Sequence, residues 1–569
     1  MTALTCSVHP ALLYGRIRSQ SDQTYGWETP IDRLTDELKP PMKTDIRIRR
    51  SIQELQNDYA KGDKKPLEDV MRAWKGIKEL PPDNPKSFFR LAGFHGEPFR
   101  GAGWGSPNYW GGYCNHGNVL FPTWHRVYLV KLEEALQSIS GCENVMLPFW
   151  DETSDDSLAN GIPWALMQEH FELDGVTIPN PLRSFVFNKE IVDHVSPDPQ
   201  GADYGKPAGY ETVRYPLSGI VQGPDKDKTE RHNKNYPNYD ENVKLLNRNV
   251  VNWLTSQIVV HDTPRPTNLR AKYLKCLDAP NYTVFSNTTS RDAWNDDLPT
   301  GSIRIESLES PHNSIHLAVG GFDVPNLTDF SPIEGANGDM GENDTAAFDP
   351  IFFFHHCFVD RLFWLWQKRH RFTEHLEVIP EYPGTNSVDG QNPTPGMVPN
   401  TWLTLDSPLN PFKKNDGGGE RAYTSTDCIH IEKQLGYTYG PGSLEGKPIA
   451  PVAAVVPGTS SKMIRVSGIN RASIRGSFLI SAYVNIGGKK YHVGTEAVLS
   501  RWNVQYCANC QTHLETKAFI GLQAFQQDSI ENAEYEIQIR TRDGMLNHPQ
   551  TSPSPLSIMS KKSFHMEIR

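Results

Sequence analysis

Nowhere does the chain reach the run of about 18 consecutive apolar residues that a membrane-spanning helix needs, so no bilayer crossing is expected. Basic charge is also short. With 57 Lys and Arg against 67 Asp and Glu the net charge is -10, which excludes the cationic footprint of a nucleic-acid binder or an anionic-membrane protein. Cysteine is scarce at 8 in 569 residues and shows no framework spacing, so the fold does not depend on a disulfide scaffold and a reducing compartment is expected. The opening stretch, Met1 to Pro10, lacks the basic start and apolar core of a secretory leader, and a cytoplasmic location is the expectation. No internal repeats or low-complexity tracts stand out.

What is present points to at least two domains, because 569 residues exceed what one hydrophobic core organises. Residues 1–45, rich in Pro, Asp and Thr, read as an irregular arm. Apolar residues at i, i+3, i+4 predict helices over 47–59, 66–80, 124–136 and 242–260, and residues 152–235 read as a loop-rich lid or surface layer. After about Thr401 the pattern changes. Lys413 to Arg421 reads as an exposed, flexible basic segment, and residues 441–462 as a Pro/Gly/Ser/Ala linker. Beyond it, short β-branched runs over 463–466, 477–484, 490–494 and 535–540 predict a β-sandwich.

The chemistry lies in the first of these domains. Phe348 to Leu362 places His355 and His356 in an almost wholly apolar helix; at about 3.6 residues per turn, Phe352, His356 and Asp360 share a face. Such a histidine is either hydrogen-bonded in a core or held for a metal, with Asp360 as the carboxylate that orients it. His312 and His316 share a helical face one turn apart. His95, His116 and His125 form a second set of three, and Phe121 precedes His125 by four residues as Phe352 precedes His356. Two triads of neutral imidazoles with no ligating carboxylate suit copper better than hard cations. Facing one another across a helix bundle, they suit dioxygen chemistry on a substrate.

Tyr113-Cys-Asn-His-Gly117, Phe121-Pro-Thr-Trp-His-Arg126, Pro311-His-Asn-Ser-Ile-His316 and Phe348-Asp-Pro with His355-His-Cys-Phe-Val-Asp-Arg361 together resemble the coupled binuclear (type 3) copper proteins, most closely the fungal pro-tyrosinases. The resemblance covers about residues 45–440 as catalytic domain and the remainder as activation domain. It implies a mainly α catalytic domain (46–440) with a four-helix-bundle binuclear copper core, a linker (441–462) carrying the activation cut, and a C-terminal β-sandwich shielding domain (463–569). It further implies two copper ions, one on His95, His116 and His125 and the other on His312, His316 and His356, with His355 a neighbour. Cys114 would form a thioether to His116, the alternative being a free buried thiol. Glu309 and Asn313 would hold a water that takes the phenol proton, the plainer alternative being a helix cap and a surface Asn.

In the second domain Cys507 and Cys510, with His513 beyond, read as a soft-ligand pair. No second pair suggests structural zinc and no βαβ setting suggests a thioredoxin. The resemblance implies copper loading, against a plain redox or structural pair. Some relatives plug the site with a Phe from this domain; here Val498 or Leu499 stands in that neighbourhood. Tyr437-Thr-Tyr439 resembles the motif that closes the catalytic domain and places the cut after it, with Lys413 to Arg421 a second candidate. The expected function is a latent oxidase that hydroxylates monophenols and oxidises o-diphenols to o-quinones with dioxygen, for melanin-type pigment. A protease, a copper chaperone and self-association are expected partners, and nucleic acid and membrane are not. Catechol oxidase, a hemocyanin-like oxygen carrier and a dinuclear zinc hydrolase are the competing readings.

Overall fold

The computed structural model describes residues 46–96, 112–192, 204–260, 263–299, 301–324, 338–386, 401–445, 460–502, 504, 507, 510, 512–547 and 564–569. The expected arm over 1–45 and most of the linker lie outside them. Ile46 to the C-terminus belongs to one compact unit.

Helix α1 (Ile52–Ala60) starts later than periodicity suggests, because Ser51 caps it by accepting from Glu54 N, and the preceding Arg47–Arg49 is strand β1. Helix α2 (Lys65–Glu79) follows, burying Leu67, Val70, Met71, Trp74 and Ile77 on its inner face, then the short α3 (Phe88–Gly93). Helix α4 (Phe121–Leu136) carries Pro122 in its first turn, where a missing N–H costs nothing. Helix α5 (Tyr239–Thr255) stops at Ser256, whose extended backbone starts a hairpin strand over Gln257–Val260, so the expected helix to 260 is too long. Helix α6 (Glu309–Gly320) and helix α7 (Ile351–His370) are buried nearly all round. Lys368, Arg369 and His370 in the last turn of α7 complement its C-terminal dipole.

These helices assemble in pairs: α2 packs on α4, α4 and α6 pack on α7, and α5 packs on α6. At the far end of this layer, β1 pairs in parallel with β2 (Tyr437–Tyr439). Residues 152–235, expected as a lid or surface layer, contribute to the core at several of their described positions. Phe185 and Phe187 pack on Phe348 with ring centroids 5.9 and 4.6 Å away, and Arg214 pairs with Asp349 (2.7 Å), whose carboxylate also accepts from Ile351 N at the start of α7. The stretch therefore supplies core. Lys413 to Arg421 is not a loose tail: strands Pro408–Asn415 and Glu420–Thr424 pair as a hairpin, tied by Lys413 to Glu420 and Arg421 to Asp427, with an exposed tip.

The C-terminal module is two antiparallel sheets. Strand β3 (Met463–Asn470) lies between Glu515–Gly521 and His565–Ile568, while β4 (Phe478–Ile486), β5 (Lys489–Val498), Glu534–Thr541 and Gly544–Asn547 form the other sheet. Ile464, Val466, Phe478, Ile480, Ile520, Ile537 and Ile539 fill a separate core. Leu479, Ala497 and Leu499, however, join the core of the helical layer, and β5 packs on α6. The sheet sits on the helices as a docked face.

Candidate active site

The buried histidines converge where α4, α6 and α7 cross. His312 and His316 lie one turn apart on α6, and His356 reaches them from α7: their Nε2 atoms stand 3.1 Å (His316 to His312), 3.2 Å (His312 to His356) and 3.4 Å (His316 to His356) apart. Three nitrogens at those separations are what an ion about 2 Å from each would span. Opposite them, His125 projects from α4, His95 lies two residues past the end of α3, and His116 sits on the loop before α4, with ring centroids 5.3 to 5.7 Å apart. The triads face one another closely. The rings of His125 and His356 stack at 4.4 Å, and those of His116 and His312 at 5.6 Å.

Which nitrogen is free is set by local bonds. His125 Nδ1 meets Phe121 O (2.8 Å), His316 Nδ1 meets Met340 O (2.8 Å), His95 Nδ1 meets Asn343 O (3.2 Å), and His312 Nδ1 meets Asn313 Oδ1 (3.0 Å). Nδ1 donates in each case, leaving Nε2 as the lone-pair nitrogen, and on His95 and His125 that atom is buried with no hydrogen-bond partner. Burial and the neighbouring rings hold His95, His116, His312, His316 and His356 well below the usual imidazole range, and His125 falls to about 3. All six are neutral near pH 7, the form a metal takes. The residues fit a pair of imidazole-bound ions.

The surrounding positions divide. Phe352 packs on His356 at 4.1 Å and Phe121 on His125 at 4.8 Å, walling each ring. Asp360 does not orient His356. Its Oδ1 takes Arg126 Nε (2.5 Å), and its Oδ2 accepts from Tyr437 and Tyr439 (2.6 Å each), because one turn further along α7 the carboxylate has left the metal pocket for the face packed on α4 and β2. His356 Nδ1 consequently has no hydrogen-bond partner among the described residues. His355 turns aside to Glu152 Oε1 (2.5 Å), and the Tyr273 hydroxyl donates to Oε2 of the same carboxylate. Glu152 was not among the residues singled out from sequence, because its partner His355 lies 203 residues further along the chain.

Glu309 opens α6 but caps nothing in its own helix. Oε1 accepts from Gly117 N (2.8 Å) and Oε2 from Thr288 N (2.8 Å) and Oγ1 (3.1 Å), so the carboxylate braces the His116 loop against the helix of His312 and His316. Desolvation raises its pKa. Asn313 is buried rather than surface, and both residues line a small cavity with Arg471, Val498, Leu499 and His513 of the C-terminal module. Of the two residues expected near the entrance, Val498 joins the sandwich core while Leu499 joins that of the helical layer. His513 lies so close over Gly117 that a Cβ there would stand 2.6 Å from its ring.

Cys114 is buried, with its sulfur within 4.8 Å of ring nitrogens of His95 and His116. Cys507 and Cys510 are joined as a disulfide, which the alternative of a plain redox or structural pair accommodates, so thiolate ligation there requires reduction first.

Comparison with known proteins agrees with this geometry. The family profile described as the common central domain of tyrosinase matches residues 85–369. The chain is 53% identical over 519 residues to tyrosinase HcTyr2 of Hahella sp., covering 88% of this chain and 92% of the relative. To the tyrosinase of Aspergillus oryzae it is 44% identical over 539 residues, covering 90% and 96%. The solved tyrosinase of Burkholderia thailandensis at low pH superimposes with a TM-score of 0.77 at 52% identity, covering 87% of this chain and 94% of that one. Paired triads of neutral imidazoles in a helical core, a sandwich docked over them, and similarity along nearly the whole length lead to one conclusion: the chain belongs to the tyrosinase family of binuclear copper oxidases.

Proposed function

We propose that this tyrosinase ortho-hydroxylates monophenols, oxidises the o-diphenols to o-quinones, and is kept latent by its C-terminal module until the linker is cut. One copper ion would be held by His95, His116 and His125 and the other by His312, His316 and His356; when bound, the pair supplies the dioxygen chemistry. The observation that carries the reading is the convergence of six buried imidazoles, with Leu499 and His513 of the docked sandwich lining a cavity with Glu309 and Asn313 beside them.

The side chains then have separate tasks. Phe121 and Phe352 fix ring planes and keep water out. Glu309, made more basic by burial, and Asn313 orient a water that takes the phenol proton. Cys114 bonds to His116 as a thioether and fixes the ligand that sits on a loop. Cys507 and Cys510, once reduced, capture Cu(I) for loading, with a chaperone as donor. Arg471 and His513 bar the phenol from Glu309 while the module stays docked. A protease cutting after Tyr439, self-association, a cytoplasmic location and melanin-type products complete the reading.

The test is oxygen uptake by copper-loaded protein before and after limited proteolysis. Tyrosine-dependent uptake that appears only after cleavage is expected. Uptake with a diphenol alone makes the protein a catechol oxidase, and reversible oxygen binding without uptake makes it a carrier.

A further inference from the structure

One side chain of the C-terminal module passes through the shield to the first histidine triad. Arg501, 2% exposed, follows strand β5 in a segment fastened to residues 341–344: Asn343 N donates to Ser500 O (3.2 Å) and Trp502 N to Asp344 Oδ2 (2.8 Å). Its guanidinium pairs with Asp344 Oδ1 (3.0 Å) and donates to the backbone carbonyl of His95 (3.0 Å) and to Cys114 Sγ (3.1 Å). A second donor, Asn343 Nδ2, reaches the same sulfur at 3.7 Å. A cysteine on a loop has three staggered positions open to it. Two donors, one from each of these two fastened segments, select one, and in it the sulfur lies beside the His116 ring.

We propose that Arg501 is a positioning residue that holds the Cys114 sulfur against His116 while the thioether forms, so that the module assembles the site it covers. This rests on the proposed Cys114–His116 link. In that step a bond forms between Sγ and a ring carbon of His116, and the S–H and ring C–H bonds break. The two protons and two electrons released go to dioxygen, the enzyme's own oxidant, giving hydrogen peroxide. A planar fork serves the three acceptors at once, which a lysine ammonium on a flexible stem does not.

The experiment uses the full-length chain, copper-free, reconstituted with copper in air. Intact mass reads the loss of two hydrogens, and alkylation of the Cys114 peptide reads the free thiol; copper content is measured on the same samples. Arg501→Lys keeps a charge for Asp344 and is expected to load copper normally but cross-link at least about tenfold more slowly, with Arg501→Met slower still. Cross-linking of both variants at the wild-type rate overturns the proposal. So does failure of both to take up copper, which would make Arg501 a structural strut. Wild type that loses no mass overturns the thioether itself, an outcome distinct from the other two.

Discussion

Glu309 shows how much one carboxylate decides. With Oε1 on Gly117 N and Oε2 on Thr288, it ties a loop of the first triad to the helix of the second. Glu309→Gln keeps the shape but turns an amide toward a backbone N–H, leaving a buried donor unsatisfied at a cost of about 1–3 kcal/mol. Thermal unfolding is expected to show that loss. Removing the base should also lower turnover of a monophenol about a hundredfold and that of a diphenol far less; equal losses on both substrates would reduce Glu309 to a brace. From sequence its role read as base or cap. That its two oxygens bind residues 117 and 288 follows from contacts 192 and 21 residues away along the chain.

At the level of elements, α7 carries two unrelated systems on one helix. His356 faces the metal pocket, while Asp360 joins Arg126, Tyr437 and Tyr439. Arg126 and Asp360 are almost wholly buried, so Asp360→Asn strands a cation and is expected to cost about 3–5 kcal/mol, read as a lower midpoint in urea. Copper content of the folded variant should match wild type, because Asp360 does not touch His356. The His116 loop gives a second prediction. Gly117 has φ +65°, and a side chain there meets the His513 ring, so Gly117→Ala carries about 1–2 kcal/mol of backbone strain and pushes on the shield. Increased oxidation of a diphenol by uncleaved protein is the expected result.

Across the whole molecule, the module is held by charge as well as by its apolar face. Glu496 on β5 accepts from Lys272 (2.7 Å), Arg291 (3.2 Å) and Ser310 Oγ (3.0 Å) of the helical layer, and Asp296 there takes Arg465, Lys517 and Arg569. Burial pushes the Glu496 carboxyl up, but Lys272 and Arg291 outweigh it and bring it down to about 2. A depressed carboxyl stabilises docking above its free pKa of about 4.3 and loses that contribution as pH falls toward 2. Asp292 beside it, raised to about 7 by burial, works in the opposite sense at higher pH. Uncleaved enzyme incubated below about pH 4 is therefore expected to open, shown by diphenol oxidation and dye binding to exposed apolar surface. The amino-acid sequence by itself determined the helical and sheet-forming regions, since periodicity acts over a few residues, and its histidine motifs carried the resemblance to the family that implied the two triads. Only the tertiary structure decided the partner of Asp360, the brace made by Glu309, the turn of His355 to Glu152, the core role of Phe185, Phe187 and Arg214 and the reach of Arg501 to Cys114. Those contacts join positions far apart in the chain, and which buried charge meets which is set by how the layers pack.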